Sequence, residues 1–302
     1  MAALTSAPRP QGSEDVTMRV GAHVSTAGGL DRAIDRAQAM GAETIQIFGG
    51  APQTWRRRSY ADEETNAFRE KAAAADVGPV FLHAIYLISL VNDDPVAMEK
   101  SQGALIADLE LCPRIGAKGS IVHAGSHKGA GFDAVLERVA AAVRRVLKET
   151  PQESWLILEN SAGMGGSVGA HFHELGAIMR EVGDSRVKVC LDTQHAFAMG
   201  YDLITQKGLE ATLAEIKREI GLDRLVACHA NDSKVALGDV RDRHENIGEG
   251  HIGRDGFRRI MSHPAFAKVP FIIEVPGFGN LGPDKQNLDI LKEIRREAGA
   301  AP

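Results

Sequence analysis

The sequence predicts an α/β fold, a (β/α)₈ TIM barrel with its active site at the C-terminal rim of the strands. Apolar strand-like segments alternate with segments of helical period along the whole chain, and there are eight strand-like segments. The chain has 302 residues, of which 44% are hydrophobic, and a single barrel domain commonly needs roughly 250 residues. A doubly wound open sheet is the structural alternative.

The eight strand-like segments follow one another in a regular order. They read "RVGAHVS", "ETIQIFG", "PVFLHAIYL", "GSIVHAGS", "SWLILENS", "VKVCLDT", "RLVACHAND" and "VPFIIEVPG". Between them, apolar residues recur every three or four positions, as at Leu209, Leu213, Ile216 and Ile220, which is typical of a helix with one buried face. Strands that are buried on both faces and joined by helices pair in parallel, and this favours a closed barrel.

Composition limits the domain organisation and the location of the protein. We expect a disordered extension over residues 1–18, one barrel domain over residues 19–296 and a tail over residues 297–302. No apolar run approaches the roughly 18 residues of a membrane span, and no signal-peptide core is present. Three cysteines without a CxxC pair argue against a disulfide framework. We therefore expect a cytoplasmic protein, whose net charge of −5 does not by itself indicate a nucleic-acid partner.

The last six strand-like segments all end in a residue that can bind a metal. These residues are His83, His123, Glu159, Asp192, His229 and Glu274. Because side chains alternate across a strand, the residue two positions earlier shares the same face. The barrel interior should then hold Phe81, Ile121, Ile157, Cys190, Ala227 and Ile272, and the intervening residues should meet the helices. The six polar groups would lie together at the rim.

This set of residue types favours a metal centre. A single His or Glu at a strand end is ordinarily a hydrogen-bonded core or rim residue, but several carboxylates buried together are too costly unless cations neutralise them. Imidazole and carboxylate ligands without thiolates suit zinc, manganese or iron. His195 follows Asp192 closely, and "DVRDRHENIGEG" offers Asp242 and His244 in a D-x-H pair, which alone is commonly a solvated loop. Nine such residues can hold three ions if one carboxylate bridges.

These motifs resemble those of the endonuclease IV family, the zinc-dependent apurinic/apyrimidinic (AP) endonucleases. The resemblance covers about residues 20–293 through "GAHVSTAGGL", "HAIYLISL", "VHAGSH", "LENSAG", "CLDTQHAFAMGYDL", "CHANDSK", "DRHENIGEGHIG" and "IIEVPG". It implies hydrolysis of double-stranded DNA on the 5′ side of an abasic site, leaving a 3′-hydroxyl and a 5′-deoxyribose phosphate, and repair of blocked 3′ ends. We expect a monomer.

The resemblance also implies three zinc ions per chain and a ligand set for each. The first set is His83, His123 and Glu159. The second set is Glu159, Asp192, His229 and Glu274. The third set is His195, Asp242 and His244. Glu159, which the first two sets share, and Glu274, a candidate proton acceptor, are the expected catalytic residues.

Two loops are candidates for DNA contact. "TWRRRSY" places Trp55, Arg56, Arg57 and Arg58 after the second strand, on the same rim, where they could bind phosphates or form a solvated charge run. Three divalent ions would change the formal charge of the chain from −5 to +1. The acidic composition is then a weaker argument against binding to DNA.

The second loop follows His83. Tyr86 and Leu87 match the pair that members of the family insert into the DNA stack, and an aromatic with an aliphatic side chain could fill the gap of a missing base. The alternative is that both cap the barrel core. Gln53 stands where several relatives place a basic residue that enters the base stack, so damage recognition at that position is open.

Two other functions compete with this interpretation. Sugar isomerases of the xylose isomerase type use the same barrel with a carboxylate and His site, but the trio His195, Asp242 and His244 has no use in that chemistry. A non-catalytic binder of damaged DNA would not need the full ligand set. The remaining histidines are not assigned to metal: His127, His171, His173, His251 and His263.

Overall fold

The computed structural model describes residues 18–300. Its strands are β1 (Val20–His23), β2 (Ile45–Phe48), β3 (Val80–His83), β4 (Ala117–Val122), β5 (Trp155–Glu159), β6 (Val187–Asp192), β7 (Leu225–His229), β8 (Asp232–Ser233), β9 (His244–Glu245) and β10 (Phe271–Ile273). Its helices are α1 (Arg32–Met40), α2 (Asp62–Ala74), α3 (Pro95–Ile115), α4 (Leu136–Lys148), α5 (Phe172–Val182), α6 (Thr193–Ala198), α7 (Gln206–Glu219), α8 (Gly253–Ser262) and α9 (Lys285–Glu297).

Eight of these strands form a closed parallel barrel in the order β1-β10-β7-β6-β5-β4-β3-β2. The predicted (β/α)₈ fold is therefore confirmed, and the doubly wound alternative is wrong, because β1 pairs with both β2 and β10 and leaves no open edge. The remaining strands, β8 and β9, form a short antiparallel ribbon in the loop after β7. Nothing in the sequence pattern predicts that ribbon.

The alternation of side chains along the strands agrees with the prediction. One core cluster fills the barrel interior and consists of Phe81, Ile121, Ile157, Cys190, Ala227 and Ile272. The intervening residues belong to the larger cluster between strands and helices, together with the buried stripes of α4 and α7. Because alternation fixes both layers, it also fixes which side chains reach the rim.

The ends of the described chain help to close the barrel. Met18 is fully buried, and the Arg295 guanidinium of α9 donates to its carbonyl at 2.8 Å. Most of the expected extension, residues 1–17, lies outside the described residues, so the division into extension, barrel and tail stays a prediction. All three cysteines are buried and free. Among the helices of residues 18–300, none is both long and apolar enough to cross a membrane.

Candidate metal centre

The C-terminal rim of the barrel gathers all six ligand-type residues of the strand ends. Four of them are the last residues of their strands: His83, Glu159, Asp192 and His229. The other two, His123 and Glu274, follow β4 and β10 directly. The regular ladder of the barrel holds the neighbours together, since Asp192 pairs with His229 and Glu159 with Cys190 across adjacent strands.

The ligand atoms fall into three groups, and within each group the atoms lie within 4.8 Å of one another. The first group is His83, His123 and Glu159. The second group is Glu159, Asp192, His229 and Glu274. The third group is Asp192, His195 and His244. The first two groups coincide with the sets that the resemblance implies, and the third differs by one carboxylate.

Asp242 lies beside the third group, on its solvent side. Its carboxylate oxygens are 3.4 Å from His195 Nε2 and 3.3 Å from His244 Nε2, and its side chain is 50% exposed. Asp192, whose side chain is fully buried, also lies near this group. Its Oδ2 is 3.8 Å from His244 Nε2 and 3.9 Å from His229 Nδ1. Asp192 thus stands between the second and third groups, whereas the resemblance implies that it serves one metal.

Glu159 stands between the first and second groups. Its Oε2 is 3.3 Å from His83 Nε2 and 3.2 Å from His123 Nε2, and its Oε1 is 2.8 Å from His229 Nδ1. Burial opposes ionisation of this carboxyl, but the charges of His123 and His229 hold its pKa well below the ordinary value. An ionised carboxylate with both oxygens among imidazoles can bridge two cations.

The donor set fits divalent transition-metal ions. It contains only imidazole nitrogens and carboxylate oxygens, the ligands that zinc, manganese and iron accept. The His244 Nε2 is buried, and although an Asp242 oxygen lies 3.3 Å away, this nitrogen makes no hydrogen bond among the described residues. A buried polar atom of this kind is expected to have a partner, and a metal ion would supply one. Burial likewise opposes ionisation of Glu274, yet the nearby His229 and His23 hold the pKa of this carboxyl well below its usual range.

Two residues of this centre were missed in the sequence. His23 at the end of β1 places Nδ1 at 3.2 Å from Glu274 Oε1. Gln46 of β2 donates from Nε2 to the same oxygen at 2.6 Å and accepts from His229 Nε2 at 2.7 Å through Oε1. Because His229 uses Nε2 for this bond, its Nδ1 faces the carboxylates. Alternation along the first two strands could have identified both residues, since each points into the barrel as the ligands do.

Asparagines hold the ligands from behind. Asn231 donates from Nδ2 to Asp192 Oδ2 at 2.7 Å and accepts from the Glu274 backbone N–H at 2.7 Å. Asn160 accepts from the Asp192 backbone N–H at 2.7 Å, and its carbonyl lies 3.0 Å from His195 Nδ1. Such contacts orient metal ligands and fix which ring nitrogen is free.

The loop after His83 is exposed beside the ligands. Tyr86 is 67% and Leu87 39% exposed, so neither side chain caps the barrel core in the way that the alternative interpretation requires. The Tyr86 ring packs against Phe48 at 5.4 Å between centroids. Together with several ligands, Tyr86 and Phe48 line a cavity of about 360 Å³ at the metal centre.

The side chains of the arginine loop after β2 point partly to the surface and partly to the interior. Arg56 is exposed, and Arg58 pairs with Glu64 at 2.5 Å. Arg57 instead turns inward and contacts the fully buried Asp108 of α3. Arg57 also lines a groove that this loop borders, but because a buried carboxylate holds its guanidinium, we expect Arg57 to stabilise the loop and not to contact a phosphate as predicted.

The arginines of this loop border a larger groove. Trp55 packs half-buried against the core, and the three arginines line the groove, which has a volume of about 1420 Å³. His23 and Phe48 line both the groove and the smaller cavity. The groove thus leads directly to the metal centre. Gln53 is exposed nearby.

Comparisons with known proteins agree with this architecture. The family model of xylose isomerase-like TIM barrels matches residues 34–296. The chain is 41% identical over 283 residues to a probable endonuclease 4 from Methanoculleus marisnigri, with 93% of this chain and 99% of that protein covered. It resembles the crystal structure of endonuclease IV from Thermus thermophilus with a TM-score of 0.82 and 34% identity, over 92% of this chain and 99% of that one.

A more distant likeness concerns the fold alone. A D-tagatose 3-epimerase-like protein superposes with a TM-score of 0.70 at 14% identity, over 93% of this chain and 98% of that one.

Proposed function

The chain belongs to the endonuclease IV family of xylose isomerase-like TIM barrels, and on this premise we propose that it is a DNA-repair AP endonuclease. It hydrolyses the phosphodiester 5′ to an abasic site in double-stranded DNA, leaving a 3′-hydroxyl and a 5′-deoxyribose phosphate, and it removes blocking groups from 3′ ends. The observation that carries the proposal is the convergence of nine His, Asp and Glu side chains beside the exposed Tyr86 and Leu87. We further propose that it acts as a monomer in the cytoplasm.

In this proposal the ligand groups hold three zinc ions. His83, His123 and Glu159 hold the first. The second is held by Glu159, Asp192, His229 and Glu274. The third is held by His195, Asp242 and His244, with Asp192 close enough to assist. Bound divalent metals act as Lewis acids on a phosphate and lower the pKa of water, and closely spaced ions suit phosphodiester hydrolysis.

Glu274 is the carboxylate that can accept the proton of the attacking water. Its side chain is 19% exposed and lines the cavity at the metal centre, whereas the side chain of Glu159 is 0% exposed beneath its histidines. His23 and Gln46 contact Glu274 Oε1 and restrict its rotation. Glu159 contributes as the ligand that the first two groups share, and Glu274 contributes as the proton acceptor.

The exposed loops after β2 and β3 bind the DNA substrate. Tyr86 and Leu87 occupy the gap that a missing base leaves in the duplex. Unstacking the duplex costs least at the base step that contains this gap. Arg56 and Arg58 border the groove that leads to the metals and contact the DNA backbone, and Trp55, which packs beside them against the core, supports this loop and completes the contact. The three cations change the formal charge of the chain from −5 to +1, so an acidic sequence does not repel DNA at the active site.

The competing functions are less well supported. Sugar isomerisation would leave His195, Asp242 and His244 unused, and the likeness to an epimerase-like protein at 14% identity concerns the fold only. A binder without catalysis would have no need of the complete ligand set. The relatives at about 40% identity are endonucleases by name.

A nicking assay tests the proposal. The zinc-loaded protein is incubated with a labelled duplex that contains one abasic site, and we expect a single cut 5′ to that site whose product a polymerase can extend. An intact duplex of the same sequence should stay uncut, and aldose–ketose conversion of free sugars should be undetectable. Absence of nicking by fully metal-loaded protein would contradict the proposal, and sugar conversion would favour the isomerase.

A further inference from the structure

One buried carboxylate outside the ligand set gathers an unusual number of backbone donors. Asp232 in β8 is fully buried, three residues after the ligand His229. It accepts hydrogen bonds from five backbone N–H groups, those of Ser233, Gly248, Gly250, Ile252 and Gly253, at 2.7 to 3.3 Å. A buried charge is tolerated only when it is compensated in this way.

These contacts join the two ends of one loop. The loop leaves β8 at Ser233 and returns through residues 248–253, and between these points it carries Asp242 and His244. Ser233 pairs directly with His244 in the β8–β9 ribbon, and the His251 N–H donates to the Ser233 carbonyl at 2.8 Å. The carboxylate of Asp232 therefore lies at the point where the loop is closed.

The third ligand group depends on this loop in a way that the other two groups do not. His83, Glu159 and His229 end strands of the barrel, and the barrel ladder fixes their positions. Asp242 and His244 lie outside this ladder and depend on the short ribbon, on the loop closure and on isolated contacts, such as the bond from Gln194 Nε2 to the Arg241 carbonyl at 2.9 Å. A two-residue ribbon is marginally stable without further support.

We propose that Asp232 is a positioning residue for the third metal site: it closes the loop and thereby presents Asp242 and His244 to His195. This inference rests on the proposed three-metal function. Asp232 contacts no ligand atom of that site among the described residues, so its effect passes through the backbone of the loop. Loss of its charge should loosen the loop-borne ligands and leave the strand-end ligands in place.

The test is the metal content of Asp232→Asn, measured after dialysis against a weak chelator. The substitution keeps the shape but sets an amide NH₂ group against backbone donors. We expect the parent to retain three ions and the variant about two, with affinity for the last ion reduced roughly 10- to 100-fold, as for other residues that support metal ligands. Cobalt substitution should show the same selective loss in its absorption spectrum.

Glu174→Gln is the matched control. Glu174 is also buried and accepts from two backbone N–H groups, those of Gly169 and Ala170, at 2.7 and 3.1 Å. The segment that it holds, between β5 and α5, carries no proposed metal ligand, since Glu159 is the last residue of β5. This variant should therefore keep all three ions at the affinity of the parent, whatever its melting temperature.

A second variant opens the same closure without altering the carboxylate. A Cβ at Gly250 would lie 2.5 Å from Asp232 Oδ1 and from the Ser233 carbonyl, so Gly250→Ala should also lose the third ion selectively. The inference is wrong if Asp232→Asn keeps three ions at parental affinity, if it loses all ions equally, or if neither variant folds. A parent that binds fewer than three ions would instead contradict the three-metal proposal itself.

Discussion

The two sides of the metal centre are built differently. On the strand-end side, the side chains of Glu159, Asp192 and His229 are 0% exposed, and neighbouring strands hold them in register. On the loop side, Asp242 is 50% and His244 18% exposed. His123, just beyond β4, is the most open residue of the strand-end side at 40%. The barrel itself fixes one side, whereas local contacts within a loop fix the other.

The arginine loop after β2 repeats this contrast between neighbours in the sequence. Arg57 reaches inward to Asp108 and holds the loop after β2 against α3, while Arg56 beside it faces solvent. The lesson is that adjacent residues of one motif can serve stability and function separately.

The largest difference between the two sides of the metal centre is expected in how fast they release metal to a chelator. Brief chelation should release about one ion per chain and inhibit weakly, because the loop side opens first, and prolonged chelation should remove the rest and abolish cleavage. Metal analysis with a parallel nicking assay measures this. His195→Ala should lack the early phase of release. A simultaneous loss of all ions would show that the two sides are not independent.

The next largest effect is expected for Glu274→Gln. The turnover of abasic DNA should fall by about 10²- to 10⁴-fold, because the variant loses a candidate proton acceptor and a ligand charge. Binding should change by about threefold at most. Single-turnover cleavage and equilibrium binding measure the two effects, with Glu110→Gln, an exposed carboxylate of α3 outside the metal centre, as the control. Poor binding with normal cleavage per bound complex would exclude the catalytic role of Glu274.

A smaller effect is expected for the double variant Tyr86→Ala with Leu87→Ala. Its preference for abasic over intact duplex should fall roughly 10- to 100-fold, since deforming DNA costs on the order of 1 to 6 kcal/mol and these side chains offset part of that cost. Metal content and melting temperature should stay near those of the parent because both side chains are exposed. A variant that melted several degrees lower and kept its selectivity would show that these side chains stabilise the fold and do not recognise the lesion.

The smallest effect on DNA binding is expected for Arg56→Ala. The variant should bind intact and abasic duplexes a few-fold more weakly, and the slope of log affinity against log salt should decrease by about 1. Arg57→Ala should leave that slope unchanged and instead lower the free energy of unfolding by roughly 3 kcal/mol, because it leaves Asp108 buried without a partner. Salt titrations and denaturant melts distinguish them. Equal salt effects would place Arg57 in contact with DNA.

Much of the fold and of the deep ligand cluster could be predicted because both follow from alternation along buried strands. The period of two along the strands, together with the barrel fold, is enough to predict the interior layer from Phe81 to Ile272. It also predicts the strand-end positions of His83 and Glu274. His23 and Gln46 obey the same rule. They are not predicted because the run of ligand-type strand ends begins at His83 in the third strand, and a Gln is not a typical metal ligand.

The rest depends on contacts between distant parts of the chain. Nothing in "TWRRRSY" reveals that Asp108, on a helix about fifty residues later, takes one of three consecutive arginines. The closure of the third-site loop by Asp232 also requires the folded path of residues 248–253. Asp192 lies near two ligand groups because α6 begins directly after it and turns His195 back toward the rim.

The closing position of β10 has a consequence for synthesis of the protein. β10 lies between β1 and β7, and the residue directly after it is Glu274. A nascent chain emerges from the ribosome with its N-terminal part first, so β1 must wait for nearly the whole chain before it gains this partner. Until then the second ligand group lacks Glu274. By the proposed mechanism, a growing or truncated chain therefore cannot cut DNA, and we expect nuclease activity to begin only when the barrel is complete.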